Sequence, residues 1–229
     1  MRLSLILLHL FTISLFSAES IVPIYMNSQF GQLAIKVRLK SNEEIKSKNV
    51  IKQKLDFSCG SAATATLFNY YLNDPLSEEE VIKGLFHFGN KKKIIKNRGF
   101  SLLDIKKLGN ALGYVVKGYR TNLKGLLELN MPSIVTIVLG DYKHFVIFKG
   151  YKKNRVFLAD PALGNTIVTR KKFLDMWYKN IALVIKPKRR IKKNKLALKR
   201  DDLLLLEPNY FRNILFDKNV LSFKTNYDY

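Results

Sequence analysis

The chain has 229 residues, enough for one or two domains and for a buried core. Its 47% hydrophobic and 12% aromatic content excludes a disordered chain. A formal net charge of +22 suits acidic partners, but no nucleic-acid-binding motif accompanies it, and no nucleic-acid partner is expected.

Residues 1–20 read as a secretory signal peptide. Arg2 gives a positive start, residues 3–16 form an uncharged apolar run, and Ser17, Ala18 and Ser20 supply small residues for cleavage. The run is shorter than the roughly 20 residues of a membrane span. An uncleaved N-terminal anchor is the competing reading. Both put the body of the protein outside the cytoplasm, periplasmic or extracellular, and the second holds it at a membrane. In such a compartment a single cysteine, Cys59, stands out, because it has no disulfide partner. It is either buried and inert or chemically used.

Residues 21–50 form an N-terminal extension with short strands expected at 21–25 and 32–39, where branched and apolar residues partly alternate. Residues 51–186 read as one α+β unit. Its first helix is predicted from near Cys59 through Tyr71, rich in small residues. A second is expected over 75–85, with Ser77 as cap ahead of three glutamates, and a third over 101–112, with Ser101 as cap, Asp104 three residues on and Gly113 as terminator. Strands follow at 133–139, 144–150, 155–159 and 181–185. Helices first and strands after predict N-terminal helices packed on an antiparallel sheet. Residues 187–229 form a basic C-terminal extension. Between 186 and 200 there are nine Lys or Arg and no acid. Most of this charge reads as solvated surface, and the 186–200 run also suits attraction to an anionic membrane surface.

Thiol catalysis needs a thiolate, a base, a group that fixes the base, and donors for an oxyanion. Cys59 follows the cap-type residues Asp56 and Ser58, so its sulfur is expected at a helix N-terminus, partly exposed, where dipole and free amides favour the thiolate. Gly60 lets a substrate carbonyl approach the backbone. Gln53, six residues upstream, can fold back beside the thiol as an oxyanion donor. By spacing alone it also fits an ordinary surface glutamine. His9 lies in the leader, so His87 and His144 remain as bases. Reading 144–150 and 154–160 as a hairpin with a loop at 151–153 pairs Gly150 with Asn154 and sets His144 opposite Asp160. Val146, Phe148, Val156 and Leu158 then share that face. Asp160 is expected to hold one ring nitrogen and leave the other to Cys59. A His–Asp pair that only stabilises a strand end is the alternative. His87 has no comparable carboxylate. One cysteine and two histidines lack zinc-ligand spacing, so neither metal nor cofactor is expected.

The Gln53-x5-Cys59-Gly60 motif resembles the catalytic motif of the C39 peptidases, the bacteriocin-processing or double-glycine leader peptidases. The segment His144-Phe145-Val146-Ile147 and the segment Asp160-Pro161-Ala162-Leu163-Gly164 are similar to that family's later motifs. The similarity covers roughly residues 50–186. It implies a papain-like α+β fold and cleavage of a peptide bond, often after Gly-Gly in a leader. It also implies Cys59 as nucleophile, His144 as base, Asp160 as the orienting residue and Gln53 as the oxyanion glutamine. Two features depart from the family pattern. Many members are cytoplasm-facing domains of ABC exporters, whereas no ATP-binding segment is read here and a leader is. Many also carry Asp before the cysteine, where this chain has Ser58. The chain looks like a standalone, exported branch acting on a peptide or exported protein. A papain-like binding protein without turnover, or another thiol acyl-transfer enzyme such as a transglutaminase or amidase, is the alternative.

Overall fold

A computed structural model describes residues 21–28, 31–38, 41–191, 193–199 and 202–203. Residues 1–20, where a signal peptide is expected, and the chain beyond 203 lie outside these residues. The described residues fall into two units, divided between Ser41 and Asn42. In the first, β1 (Ile21–Ser28) and β2 (Gly31–Arg38) make an antiparallel hairpin with Ile21 opposite Arg38.

The second unit begins with α1 (Asn42–Ser47) and α2 (Cys59–Leu67), which runs on as a π-helical turn over Phe68–Leu72. All nine residues of α2 are buried, as its small side chains require. Next come α3 (Glu78–Phe88), α4 (Lys91–Asn97) and α5 (Leu102–Ala111). The α3 and α5 starts are capping boxes. The Ser77 hydroxyl accepts from the Glu80 amide at 3.2 Å, and the Glu80 carboxylate accepts from the Ser77 amide at 2.8 Å. Ser101 and Asp104 repeat this at 3.2 and 2.9 Å. Gly113, with φ +79°, ends the last helix as expected.

The remaining elements are β3 (Val115–Arg120), α6 (Leu123–Glu128), β4 (Ser133–Leu139), β5 (Tyr142–Lys152), β6 (Arg155–Asp160), β7 (Gly164–Thr169), α7 (Arg170–Met176) and β8 (Trp177–Lys186). Six of these form one antiparallel sheet in the order β3-β8-β4-β5-β6-β7. Strand parity sorts its side chains into two cores. Ile134, Ile147, Ala159 and Ile185 meet α2, α3 and α5. Val135, Val146, Phe148, Val156 and Leu158 meet α6 and α7. The architecture is the expected α+β one, with a second helical layer that the sequence reading did not contain.

The β5–β6 hairpin departs from the expected register. Its turn is the pair Lys153 and Asn154, both at left-handed φ (49° and 59°), the geometry that matches strand twist in a two-residue turn. Gly150 therefore faces Phe157 rather than Asn154. A bulge at Lys149 then shifts the register, so that Phe148 faces Leu158 and Ile147 faces Ala159. Continuing this register sets Asp160 opposite Val146, diagonal to His144 and of the same parity. Without the extra residue, Asp160 would fall opposite Ile147 and on the other face.

The flanks of the 51–186 region are tied to it. Asn165 Nδ2 donates to the carbonyls of Ile45, Lys46 and Lys48 at 3.1, 3.2 and 2.8 Å. The Lys195 amide donates to Tyr70 O at 2.9 Å, and Leu196 is fully buried in the α2 core. Lys149 Nζ, on the bulge, donates to Asn165 Oδ1 at 2.8 Å and ion-pairs with Asp202.

Gly164 sits opposite Asp160 at φ +82°, and a Cβ there would lie 2.4 Å from Lys46 O. Gly164→Ala is therefore expected to lower stability by about 1–3 kcal/mol, from left-handed strain with the clash added. A urea-unfolding midpoint equal to the parent's would contradict this.

Candidate active site

Cys59 opens α2, so the amides of the first turn have no acceptor upstream in the helix and face the sulfur's end. Ser58 occupies the cap position, but its hydroxyl does not cap. It donates to Leu55 O at 2.9 Å and accepts from Leu55 N at 3.1 Å, closing the turn that delivers Cys59. A Cβ on Gly60 would lie 3.2 Å from the Phe145 ring, so this glycine lets α2 press against β5. That closeness explains a departure from expectation. Cys59 is only 4% exposed rather than open.

His144 and Asp160 are both buried, at 3% exposure each. His144 Nε2 lies 2.7 Å from Asp160 Oδ1, which leaves Nδ1 as the ring nitrogen for Cys59. The same carboxylate oxygen accepts from the Ala162 and Leu163 amides at 2.8 and 3.2 Å. The 161–163 turn thus fixes the carboxylate, and the carboxylate fixes the ring. His87, the other described histidine, is exposed at the end of α3 and packs edge-on against Phe88.

Gln53 is held close by its backbone, whose amide donates to Pro161 O at 2.9 Å. The segment that leads to Cys59 is thereby tied to the turn that carries Asp160. The Gln53 side chain donates through Nε2 to Leu55 O at 3.0 Å and Asp56 O at 3.4 Å. Its Oε1 is buried and meets no donor among the described residues.

The thiol and the imidazole polarise each other. Burial works against the charged form of Cys59, yet hydrogen bonds from His144 and the Phe145 amide, with the imidazolium charge, hold the thiol below its ordinary value. Burial also opposes protonation of His144. The hydrogen bonds to Asp160 and Cys59 outweigh it and push the imidazole up to about 9. Both directions favour charge separation from sulfur to imidazole.

One residue at the site escaped sequence reasoning. Tyr142 OH lies 3.7 Å from Cys59 Sγ and donates to Asp56 O at 2.9 Å. Its ring stacks on His144, with centroids 6.0 Å apart and planes at 30°. The available signal was parity, since Tyr142 precedes His144 by two on one strand. Both Cys59 and Tyr142 line a cleft of about 760 Å³ that also takes in Phe57, Phe100, Leu102 and Lys93.

Residues 47–190 match the model of the Peptidase C39 family. Over 149 residues the chain is 36% identical to the probable functional amyloid protease FapD of Pseudomonas fluorescens, covering 64% of this chain and 65% of that protein. It is 34% identical over 140 residues to the protein of the same name from Pseudomonas aeruginosa, covering 61% and 62%. The match thus spans just under two thirds of these relatives' length. Among solved structures, the peptidase domain of Streptococcus ComA, a bi-functional ABC transporter involved in quorum sensing, superposes with a TM-score of 0.51 at 21% identity. That match covers 61% of this chain and 98% of the domain. A double glycine motif protease from an AMS/PCAT transporter, in complex with its leader peptide, gives 0.50 at 25% identity over 62% of this chain and 96% of that one. The chain belongs to the Peptidase C39 family and has its papain-like fold.

Proposed function

We propose that this chain is an exported cysteine endopeptidase that cleaves a peptide segment of another exported protein, with Cys59 as nucleophile and His144 as general base. Asp160 orients the imidazole through Nε2, and Nδ1 exchanges the proton with the sulfur. The observation that carries the reading is the buried 2.7 Å His144–Asp160 contact beside a cysteine at a helix N-terminus. Gln53 and the Cys59 amide serve as the oxyanion donors, the glutamine amide leaving the Leu55 and Asp56 carbonyls when a scissile carbonyl enters. The relatives named functional amyloid proteases and the leader-bound relative support a protein substrate cut at an exposed, extended segment, with Gly-Gly as the first sequence to try. Exposed basic residues at 186, 188, 189 and 190 suit an anionic membrane surface near that substrate.

Substitutions should rank by role. Cys59→Ala and His144→Ala abolish cleavage in folded protein. Gln53→Ala loses on the order of 100- to 1,000-fold in turnover, since the backbone amide remains. Asp160→Asn keeps a residue of activity because the base survives with its orientation spoiled. His87→Ala changes little. Mass spectrometry of the exported proteome, comparing parent and Cys59→Ala strains, reads the cleavage. If His87→Ala were inactive and His144→Ala active, the assignment would fall.

The charge state gives a second test. A cationic His144 favours the thiolate, so the midpoint for alkylation of Cys59 by iodoacetamide should lie below the roughly 8.5 of a free thiol. Asp160→Asn weakens the imidazolium and should move that midpoint up. A parent midpoint at or above that of the urea-unfolded chain would argue against the pair.

A further inference from the structure

The assigned roles leave Tyr142 without one, although its hydroxyl is the side-chain oxygen drawn closest to the sulfur in the described contacts. We propose that Tyr142 is a further catalytic residue, whose phenol hydroxyl is a switching hydrogen-bond donor to the Cys59 sulfur. The inference rests on the Cys59–His144 reading and deepens it.

Three observations place the hydroxyl between two acceptors. It donates to Asp56 O at 2.9 Å while standing 3.7 Å from Sγ, within hydrogen-bond reach for sulfur. It is set there by strand geometry. The turn at residues 140–141 brings Tyr142 opposite Leu139 at the start of β5, two residues from His144, and the phenol ring lies over the imidazole. It also remains a donor throughout the working range. Burial, and then the neighbouring Cys59, push the phenol up to about 12. The titratable groups around it are Cys59, Asp56 and Asp160, with His144 beneath the ring.

The switch follows the proton. With the thiol protonated, S–H points at His144 Nδ1 and the phenol O–H at the Asp56 carbonyl. When the S–H bond breaks, its proton forms the Nδ1–H bond of His144 and the electron pair stays on sulfur. The thiolate is then the stronger acceptor, and the phenol O–H turns to it from Asp56. The same hydroxyl returns to Asp56 O when the sulfur is acylated and its charge is gone. A tyrosine in this place therefore stabilises the thiolate in addition to the imidazolium, and it offsets part of the burial that Cys59 suffers at 4% exposure.

The chain's single cysteine makes the test direct, because iodoacetamide uptake by a thiol reports on Cys59 alone. Tyr142 is 47% exposed, so Tyr142→Phe keeps the ring and the stacking and should fold. In that variant the thiolate midpoint should rise by on the order of 0.5–1 pH unit, with iodoacetamide uptake near pH 6 slowed roughly threefold to tenfold. A fluorinated tyrosine introduced at position 142, a more acidic donor, should move the midpoint down. His144→Ala is measured alongside. A large rise in His144→Ala with an unmoved midpoint in Tyr142→Phe overturns the role of Tyr142 and leaves the pair intact. Unmoved midpoints in both overturn the pair as well. Faster uptake in Tyr142→Phe would make the hydroxyl a latch that shields the thiol, and this too overturns the proposal.

Discussion

A single extra residue in β5 decides whether the buried acid and the buried base share a face. The Lys153–Asn154 turn sets one register for the hairpin, and in that register Asp160 belongs with Ile147, against the α2 layer. The Lys149 bulge changes the count by one and returns Asp160 to the parity of His144. The bulge is held in place. Its lysine reaches Asn165 and Asp202, and Asn165 in turn gathers three carbonyls around α1. An ammonium buried in this way is tolerable only when paired, which makes Asp202 part of the frame that supports β5.

The same economy governs the thiol. Taking Cys59 out of water disfavours the thiolate, and most buried cysteines are inert for that reason. Here burial is opposed by donors from one short stretch of β5: the Tyr142 hydroxyl, the His144 ring and the Phe145 amide. Gly60 is what lets α2 approach closely enough for all three to reach the sulfur. Low exposure is thus the setting in which a few fixed dipoles act strongly.

Elements with a local physical signature were legible in the sequence. Ser77 with Glu80 and Ser101 with Asp104 announced two helix starts, and Gly113 announced a stop. The apolar runs of β4, β5, β6 and β8 announced the sheet. What escaped was short or polar. α4 is seven residues long with four lysines, and α6 and α7 show too few turns for a period to emerge. The pairing of His144 with Asp160 was foreseen on a register that the structure does not keep. The two residues still meet because the two-residue turn and the bulge together leave the expected parity unchanged. A bulge is stabilised by the tertiary partners of its extra residue, and those of Lys149 come from positions 165 and 202. Nothing local to the hairpin announces them.

Gln53 shows how a rigid segment can present a mobile donor. The Ile51 amide is bound by Thr66 Oγ1 at 2.9 Å, the Gln53 amide by Pro161 O at 2.9 Å, and the Lys54 amide by the buried Glu78 carboxylate at 3.2 Å. These three anchors come from α2, from the Asp160 turn and from α3, so the backbone of the segment is fixed against the elements that carry Cys59 and Asp160. Its side chain rests on the carbonyls of Leu55 and Asp56, and the second of these also accepts the Tyr142 hydroxyl. One carbonyl beside the thiol therefore holds two donors at rest. In the proposed roles, either exchanges it for charge developing at the reacting centre by a side-chain rotation, with no movement of the backbone. The cost of that exchange is small because the Asp56 carbonyl keeps one donor when it releases the other.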